Sequence, residues 1–396
     1  MTERKAIKQE RIFVLDCARK YFTPAWIKRL IGEIAAVGYH AIVLHFSEDM
    51  GMRLESKRYP WLAGGDHSLC IFGAANGRAE DDGKFITQEE MADILHHAAS
   101  LGVEVIPSLD SPGHMNYVVK KYNAHFGTDI ANYFHRGEEK MIVHGTSVNR
   151  EQAQLSYSRG IDIANPEAVS FARSLYEEYG AFFRAHGCTR FNICGDELLG
   201  WGDRLDQSRS RWQNLDHWQA YAQQTTGNPN AVAYDAFLLY MNGIAALMRD
   251  MGYKTVYMWN DDLYRFSDTG WTGVVKPDRE VGVFHWACEP NGCYTPAADY
   301  IARGHDLYNF ACKYAYYILF PQDPPTRVTP EQIEAEWDPY RFDPDVPSNN
   351  PAPLSDGVKG GGFCLWCDAP VRENEDALLD AIRPYFTAIA KKIAAP

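Results

Sequence analysis

Two acidic side chains stand side by side at Asp196 and Glu197, closing the run Thr189-Arg-Phe-Asn-Ile-Cys-Gly-Asp-Glu. An apolar segment of strand character leads into them through Gly195. Successive side chains of a strand point to opposite faces, so both carboxyls can serve one substrate only if the chain bends as it leaves the strand. Glycine permits that bend. Carboxyls so placed can protonate a leaving oxygen or stabilise developing positive charge. An isolated Gly-Asp-Glu is more often a solvated turn than a site, so the weight rests on the residues that the rest of the chain places around it.

Eight apolar runs have strand length: Ile12 to Leu15, Ala41 to Leu44, Val103 to Ile106, Phe191 to Cys194, Thr255 to Met258, Val281 to Phe284, Asp306 to Phe310 and Gly362 to Leu365. Helical periodicity separates them, most clearly over Pro24 to Val37, Gln88 to Leu101, Pro166 to His186, Tyr234 to Met251 and Pro296 to Arg303. Thr87 with Gln88-Glu89-Glu90 forms a capping box, and prolines sit near the first turns. Gly38, Gly102, Gly187, Gly252 and Gly304 provide the stops. Eight such alternations with a final helix from Asn374 to Ile393 predict an α/β fold: a closed (β/α)₈ TIM barrel, one domain over residues 1–396, with long loops at its C-terminal face. A doubly wound open sheet is the alternative. The proline-rich stretch from Cys312 to Gly361 reads as an elaborated loop.

A barrel of this kind builds its active site from the loops at the carboxyl ends of its strands. Those loops open with Asp16-Cys-Ala-Arg19, His45-Phe-Ser-Glu48-Asp49, Asp110-Ser-Pro-Gly-His114, Asp196-Glu197, Trp259-Asn260-Asp261-Asp262, Trp286-Ala-Cys-Glu289, Lys313-Tyr-Ala-Tyr316-Tyr317 and Trp366-Cys-Asp368. Carboxyls can protonate a leaving oxygen, and indole faces can cover the apolar faces of a sugar ring. The inventory suits sugar cleavage. Taken singly, each tryptophan would be a packing residue, and Arg19 the partner of Asp16 or Asp49 in a buried ion pair.

Leu15-Asp16-Cys-Ala-Arg19-Lys-Tyr-Phe, Asp110-Ser-Pro-Gly-His114, Gly195-Asp196-Glu197 and Leu365-Trp366-Cys-Asp368 occur in the order and approximate spacing of the catalytic barrel of family 20 glycoside hydrolases, the β-N-acetylhexosaminidases. The chain resembles that family over about residues 11 to 390, and most of all its bacterial exo-β-N-acetylglucosaminidase modules. The resemblance implies retaining, substrate-assisted hydrolysis of terminal β-linked N-acetylglucosamine or N-acetylgalactosamine, with the 2-acetamido oxygen as nucleophile. It implies Glu197 as general acid and base, Asp196 as the partner of the acetamide N–H, and Tyr316, rather than Tyr317, as donor to the acetamide oxygen. Trp259, Trp286 and Trp366 would box the sugar, Arg19 and Asp368 would bind its far hydroxyls, and His114 with Glu48 or Asp49 would support the acid. The sequence departs from the commoner family pattern at Asn192, Cys194, Glu48 and Asp368, which touches the pocket edge more than the acetamide clamp.

Composition fits a soluble enzyme, with 46% hydrophobic and 23% charged residues. The net charge of −13 disfavours nucleic acid and anionic membranes as partners and suits a glycan substrate; the oligomeric state is not legible. No spanning segment or signal peptide is evident, which points to the cytoplasm. Nine cysteines suit reduced thiols. Cys364-Leu-Trp-Cys367 lacks a second ligand pair and reads as packing, so neither metal nor cofactor is expected. Two other functions remain: a sugar-binding barrel without catalysis, and a glycosidase whose nucleophile is a protein carboxylate, with Glu197 and Glu289 as the pair.

Overall fold

The computed structural model describes residues 9–133, 140–143, 146–149, 158–198, 216–260, 263–264, 266–267, 270–271, 273–286, 295–320, 326, 328–371 and 374–394. Eight parallel strands form the barrel: β1 (Glu10–Asp16), β2 (Ala41–His45), β3 (Glu104–Ser108), β4 (Arg190–Asn192), β5 (Thr255–Trp259), β6 (Gly282–His285), β7 (Leu307–Asn309) and β8 (Val358–Trp366). They are hydrogen-bonded in chain order, and β1 pairs with β8 from Glu10↔Gly360 to Leu15↔Leu365, so the sheet closes on itself.

The period-two alternation of the strands produces two cores. Phe13, Leu15, Ile42, Leu44, Val256, Met258, Phe363 and Leu365 face outward and pack with the helices. Ile12, Val14, Ala41, Val43, Tyr257, Trp259, Phe284, Tyr308, Cys364 and Trp366 fill the interior. The covering helices Pro24–Ala36, Gln88–Ser100, Pro166–Ala185, Ala233–Asp250 and Glu375–Ala394 fall within a residue or so of the sequence reading. Thr23, Thr87 and Asn165 cap the first three, and Thr87 and Glu90 form the expected box. Among the described residues no helix is long and apolar enough to cross a membrane.

Two readings differ from the structure. Strand β4 ends at Asn192 rather than Cys194, because Cys194 has φ 55° and cannot continue a ladder. The stretch from Cys312 to Gly361 is more than a loop: Tyr316–Ile318 is a short strand that pairs with β8, and Pro330–Glu336 is a capped helix.

At the seam between β1 and β8 the backbones approach closely. A Cβ on Gly362 would lie 1.6 Å from the Ile12 carbonyl oxygen, a clash with backbone that no rotamer relieves. Gly362→Val is therefore expected to destabilise the barrel by on the order of 3 kcal/mol, as overpacking does. Urea unfolding checks this, and an unchanged midpoint would refute it.

Candidate active site

The parity that sorts the core also selects the polar side chains at the barrel mouth. Asp16 continues the inward set Ile12 and Val14; Asp110 continues Ile106 and Ser108; Asp196 comes after Asn192 and Cys194; and Asp368 comes after Cys364 and Trp366. Asp16 is buried and accepts from Arg19 Nη1 at 2.8 Å and from the Cys367 backbone N–H at 3.0 Å, tying the end of β1 to the end of β8. Burial alone would favour its neutral form, but the Arg19 guanidinium and the hydrogen bonds from Arg19 outweigh that and hold it below its ordinary pKa. Across the same seam Arg19 Nη1 lies 3.5 Å from Asp368 Oδ1, and the Arg19 guanidinium carbon lies 5.8 Å from the centre of the Trp366 ring. Its other terminal nitrogen pairs with Glu48. Arg19 thus meets three carboxyls at once, Asp16 and Glu48 among them, rather than a single partner in Asp16 or Asp49. Burial pushes Asp368 up to about 7, opposed by Arg19 and aided by Asp16, Glu48 and Glu197.

Beyond β4 the chain turns through left-handed backbone at Cys194, Gly195 and Glu197, with φ of 55°, 82° and 44°. Asn192 Oδ1 accepts the Cys194 N–H at 2.9 Å and supports the turn. Gly195 suits the turn because its φ is positive, and a Cβ there would displace the Met241 methyl, 2.6 Å away. The turn leaves Asp196 and Glu197 half-buried, with Glu197 Oε2 3.4 Å from His114 Nε2. The other ring nitrogen of His114 lies 2.9 Å from Glu48 Oε1 and 3.2 Å from Asp49 Oδ2, so both acids of that pair hold it. Asp49 is fixed in turn by the Asn116 N–H at 3.2 Å. Burial opposes a charge on His114, but Glu48 and Asp49 prevail and raise its pKa well above the ordinary histidine range.

Aromatic rings line the interior side. Trp259 and Trp366 have centroids 5.8 Å apart, Trp286 stacks on Tyr316 at 5.9 Å with planes 13° apart, and Tyr316 meets Trp366 edge-on at 5.8 Å. Tyr317 turns the other way, toward Tyr385 on the last helix. Asn260 sets one corner: its Oδ1 accepts the Trp286 N–H at 2.8 Å and its carbonyl accepts from the Tyr300 hydroxyl at 2.6 Å.

Arg19, Glu48, Asp49, His114, Glu197, Trp366 and Asp368 are therefore joined by direct contacts, and Trp259, Trp286 and Tyr316 by ring packing. Asp261, Asp262 and Glu289 lie outside the described residues. Two buried residues to which the sequence assigns no role, His45 and Asp110, also sit at this mouth, 3.7 Å apart. Strand parity is the signal that could have found them. Cys364 and Cys367 are both buried free thiols, the first inside the barrel and the second in the outer core. Metal-ligand atoms approach within 4.8 Å in the groups Glu48, Asp49 and His114, and His45, Asp110 and Cys194.

The profile described as glycosyl hydrolase family 20, catalytic domain, matches residues 10–391. Among curated relatives, a beta-hexosaminidase of Vibrio furnissii is 23% identical over 96% of this chain and 56% of its own length. Beta-hexosaminidase subunit A1 of Dictyostelium discoideum is 22% identical over 97% of this chain and 58% of its own. The chain thus spans little more than half the length of these two. Among solved structures, the pneumococcal exo-beta-D-N-acetylglucosaminidase StrH, in its GH20 catalytic modules, superposes with a TM-score of 0.68 at 20% identity, covering 98% of this chain and 85% of that one. Matched from its first barrel strand into its last helix by a single catalytic profile, the chain belongs to glycosyl hydrolase family 20.

Proposed function

We propose that this barrel is an exo-acting β-N-acetylhexosaminidase that releases terminal non-reducing β-linked N-acetylglucosamine, or its C4 epimer N-acetylgalactosamine, with retention of configuration. The observation that carries the reading is the pair of adjacent acids on one left-handed turn, Glu197 lying 3.4 Å from His114 and Asp196 continuing the inward parity of Asn192 and Cys194. Glu197 protonates the glycosidic oxygen as the C1–O bond breaks, and the acetamide oxygen of the same sugar closes on C1 to form an oxazolinium ion. Asp196 accepts the acetamide N–H and offsets the charge that develops there, while Tyr316 donates to the acetamide oxygen and aims it. Water then attacks C1 and gives its proton to Glu197. The two inversions together retain configuration.

Trp259, Trp286 and Trp366 exclude water from the acetamide and ring, which strengthens these interactions. Arg19 and Asp368 hold the far hydroxyls of the sugar and block extension beyond it. The pneumococcal relative is an exo-beta-D-N-acetylglucosaminidase, which accords with such a closed end.

The test is binding of N-acetylglucosamine-thiazoline, a stable analogue of the oxazoline. It is expected to compete with substrate and to bind at least ~10²-fold tighter than free N-acetylglucosamine, as analogues of high-energy species do. Equal affinities would remove substrate assistance and favour a protein carboxylate as nucleophile.

A further inference from the structure

We propose that His45, Asp110 and Cys194 form a binding site for a thiophilic divalent cation such as Zn²⁺, at the root of the turn that carries Asp196 and Glu197. The site is independent of the sugar reading, which gives none of the three residues a part.

The residues come from three neighbouring strands. His45 closes β2, Asp110 lies two residues past β3 and Cys194 two residues past β4, and β3 pairs with both β2 and β4. They are 2%, 1% and 0% exposed. One ligand atom from each lies within 4.8 Å of the other two. His45 Nε2 is 3.7 Å from Asp110 Oδ2, and Cys194 Sγ is 3.8 Å from His45 Nδ1. Such ligands on a tetrahedral zinc are separated by roughly 3.3–3.6 Å, so the cluster closes on an ion with shifts of about 1 Å or less.

Hydrogen bonding around the cluster points to a ligand as well. Among the described residues His45 Nε2 and both carboxyl oxygens of Asp110 are buried and have no hydrogen-bond partner. Polar atoms gathered in this way are costly unless something satisfies them, and a cation does so for a ring nitrogen and a carboxylate together. The surrounding contacts hold the ligands in place. His45 Nδ1 lies 3.0 Å from Ser108 Oγ, which orients the ring and leaves Nε2 for the ion, and the same Ser108 Oγ lies 3.1 Å from Cys194 Sγ. The Asp110 N–H donates to Ser47 Oγ at 2.8 Å and anchors the backbone that carries the carboxyl.

The donor set selects the ion. One sulfur, one imidazole nitrogen and one carboxyl oxygen suit Zn²⁺ and softer cations, whereas Mg²⁺ and Ca²⁺ take oxygen ligands. Cys194 enters as the thiolate, its proton passing to water. The carboxyls of Glu48, Asp49, Asp196 and Glu197 at the mouth favour the approach of a cation. Gly195, Asp196 and Glu197 follow Cys194 directly, so an ion on Sγ fixes the start of their left-handed turn and places positive charge beside it. If the two acids act as proposed above, occupancy inhibits hydrolysis.

The test is titration of the full chain with Cd²⁺, read as the ultraviolet charge-transfer band of a sulfur–cadmium bond. The parent should develop the band, Cys194→Ser should lose it, and Asp110→Asn should bind Cd²⁺ at least about tenfold more weakly. If the serine variant does not fold, Cys194→Gly takes its place, since φ of 55° suits glycine. No band in the parent overturns the site, the result expected if a water molecule satisfies His45 and Asp110. A full band without Cys194 also overturns it, because another thiol is then the ligand, and so does unchanged affinity in Asp110→Asn. Zn²⁺ should lower kcat of the parent reversibly, with EDTA restoring it, and be at least about tenfold less effective on Cys194→Ser. Equal inhibition of both would place the inhibitory ion elsewhere, for example at Glu48, Asp49 and His114, and overturn the link to the turn. A parent without hydrolase activity would defeat the hexosaminidase reading instead, and the Cd²⁺ band would still decide the site.

Discussion

Glu197→Gln is expected to fold like the parent and to lower kcat by roughly 10²–10⁴-fold on substrates whose leaving group is a sugar or alkyl alcohol, the usual contribution of general acid catalysis. Glu197 is half-buried at the barrel mouth and outside both hydrophobic cores, so its amide disturbs no packing. Glutamine retains the shape and can approach His114 Nε2, which lies 3.4 Å from the native carboxyl. It has no acidic proton to give. An aryl alcohol with a low pKa departs without that proton, so an activated aryl N-acetylglucosaminide should lose far less in the glycosidic step. The measurement is kcat for both substrate types in both proteins. Equal losses would show that Glu197 is not the acid.

Arg19→Ala should lower kcat/KM by about 10²–10³-fold, corresponding to the loss of the two charge-assisted hydrogen bonds to sugar hydroxyls proposed for it. Part of the loss should fall on kcat, because binding energy at the far end of the sugar positions C1 in the transition state. A second cost is structural. Asp16 is buried, Glu48 is buried, and Asp368 is already pushed up to about 7 by burial; removing the guanidinium takes away the charge that opposes this in all three. The variant should also take up protons and unfold at a lower temperature than the parent, the more so as pH rises. Steady-state kinetics with thermal melts at two pH values check both parts. A loss confined to KM, with an unchanged melt, would contradict them.

Much of the barrel was legible because strand alternation and capping are local. Helix boundaries at Pro24, Gln88 and Pro166 come from Thr23, Thr87 and Asn165, whose side chains make the cap hydrogen bonds. The helix Asn116–Phe126 escaped notice because Met115 precedes it and makes no such bond. Which of Tyr316 and Tyr317 turns inward could not be read from the chain alone, since a period of two fixes alternation but not phase. Pairing of Tyr316 with Cys364 on β8 sets that phase, and the stretch containing it had no strand signal strong enough to stand out among its prolines. Likewise, the three-carboxyl environment of Arg19 depends on contacts between strands far apart in sequence.

The hydrogen bond from the Cys367 backbone to Asp16 joins residues 351 positions apart, and it underlies the wall that carries Arg19 and Asp368. During synthesis the first strand must therefore wait, its inner edge unpaired, until nearly the whole chain has emerged. Contacts of such sequence separation are slow to form, and an unpaired strand edge is open to other chains in the meantime. Catalytic competence is expected to appear late: a nascent chain halted before β8 would hold the two acids that follow β4 and lack Trp366 and Asp368, which complete the proposed pocket.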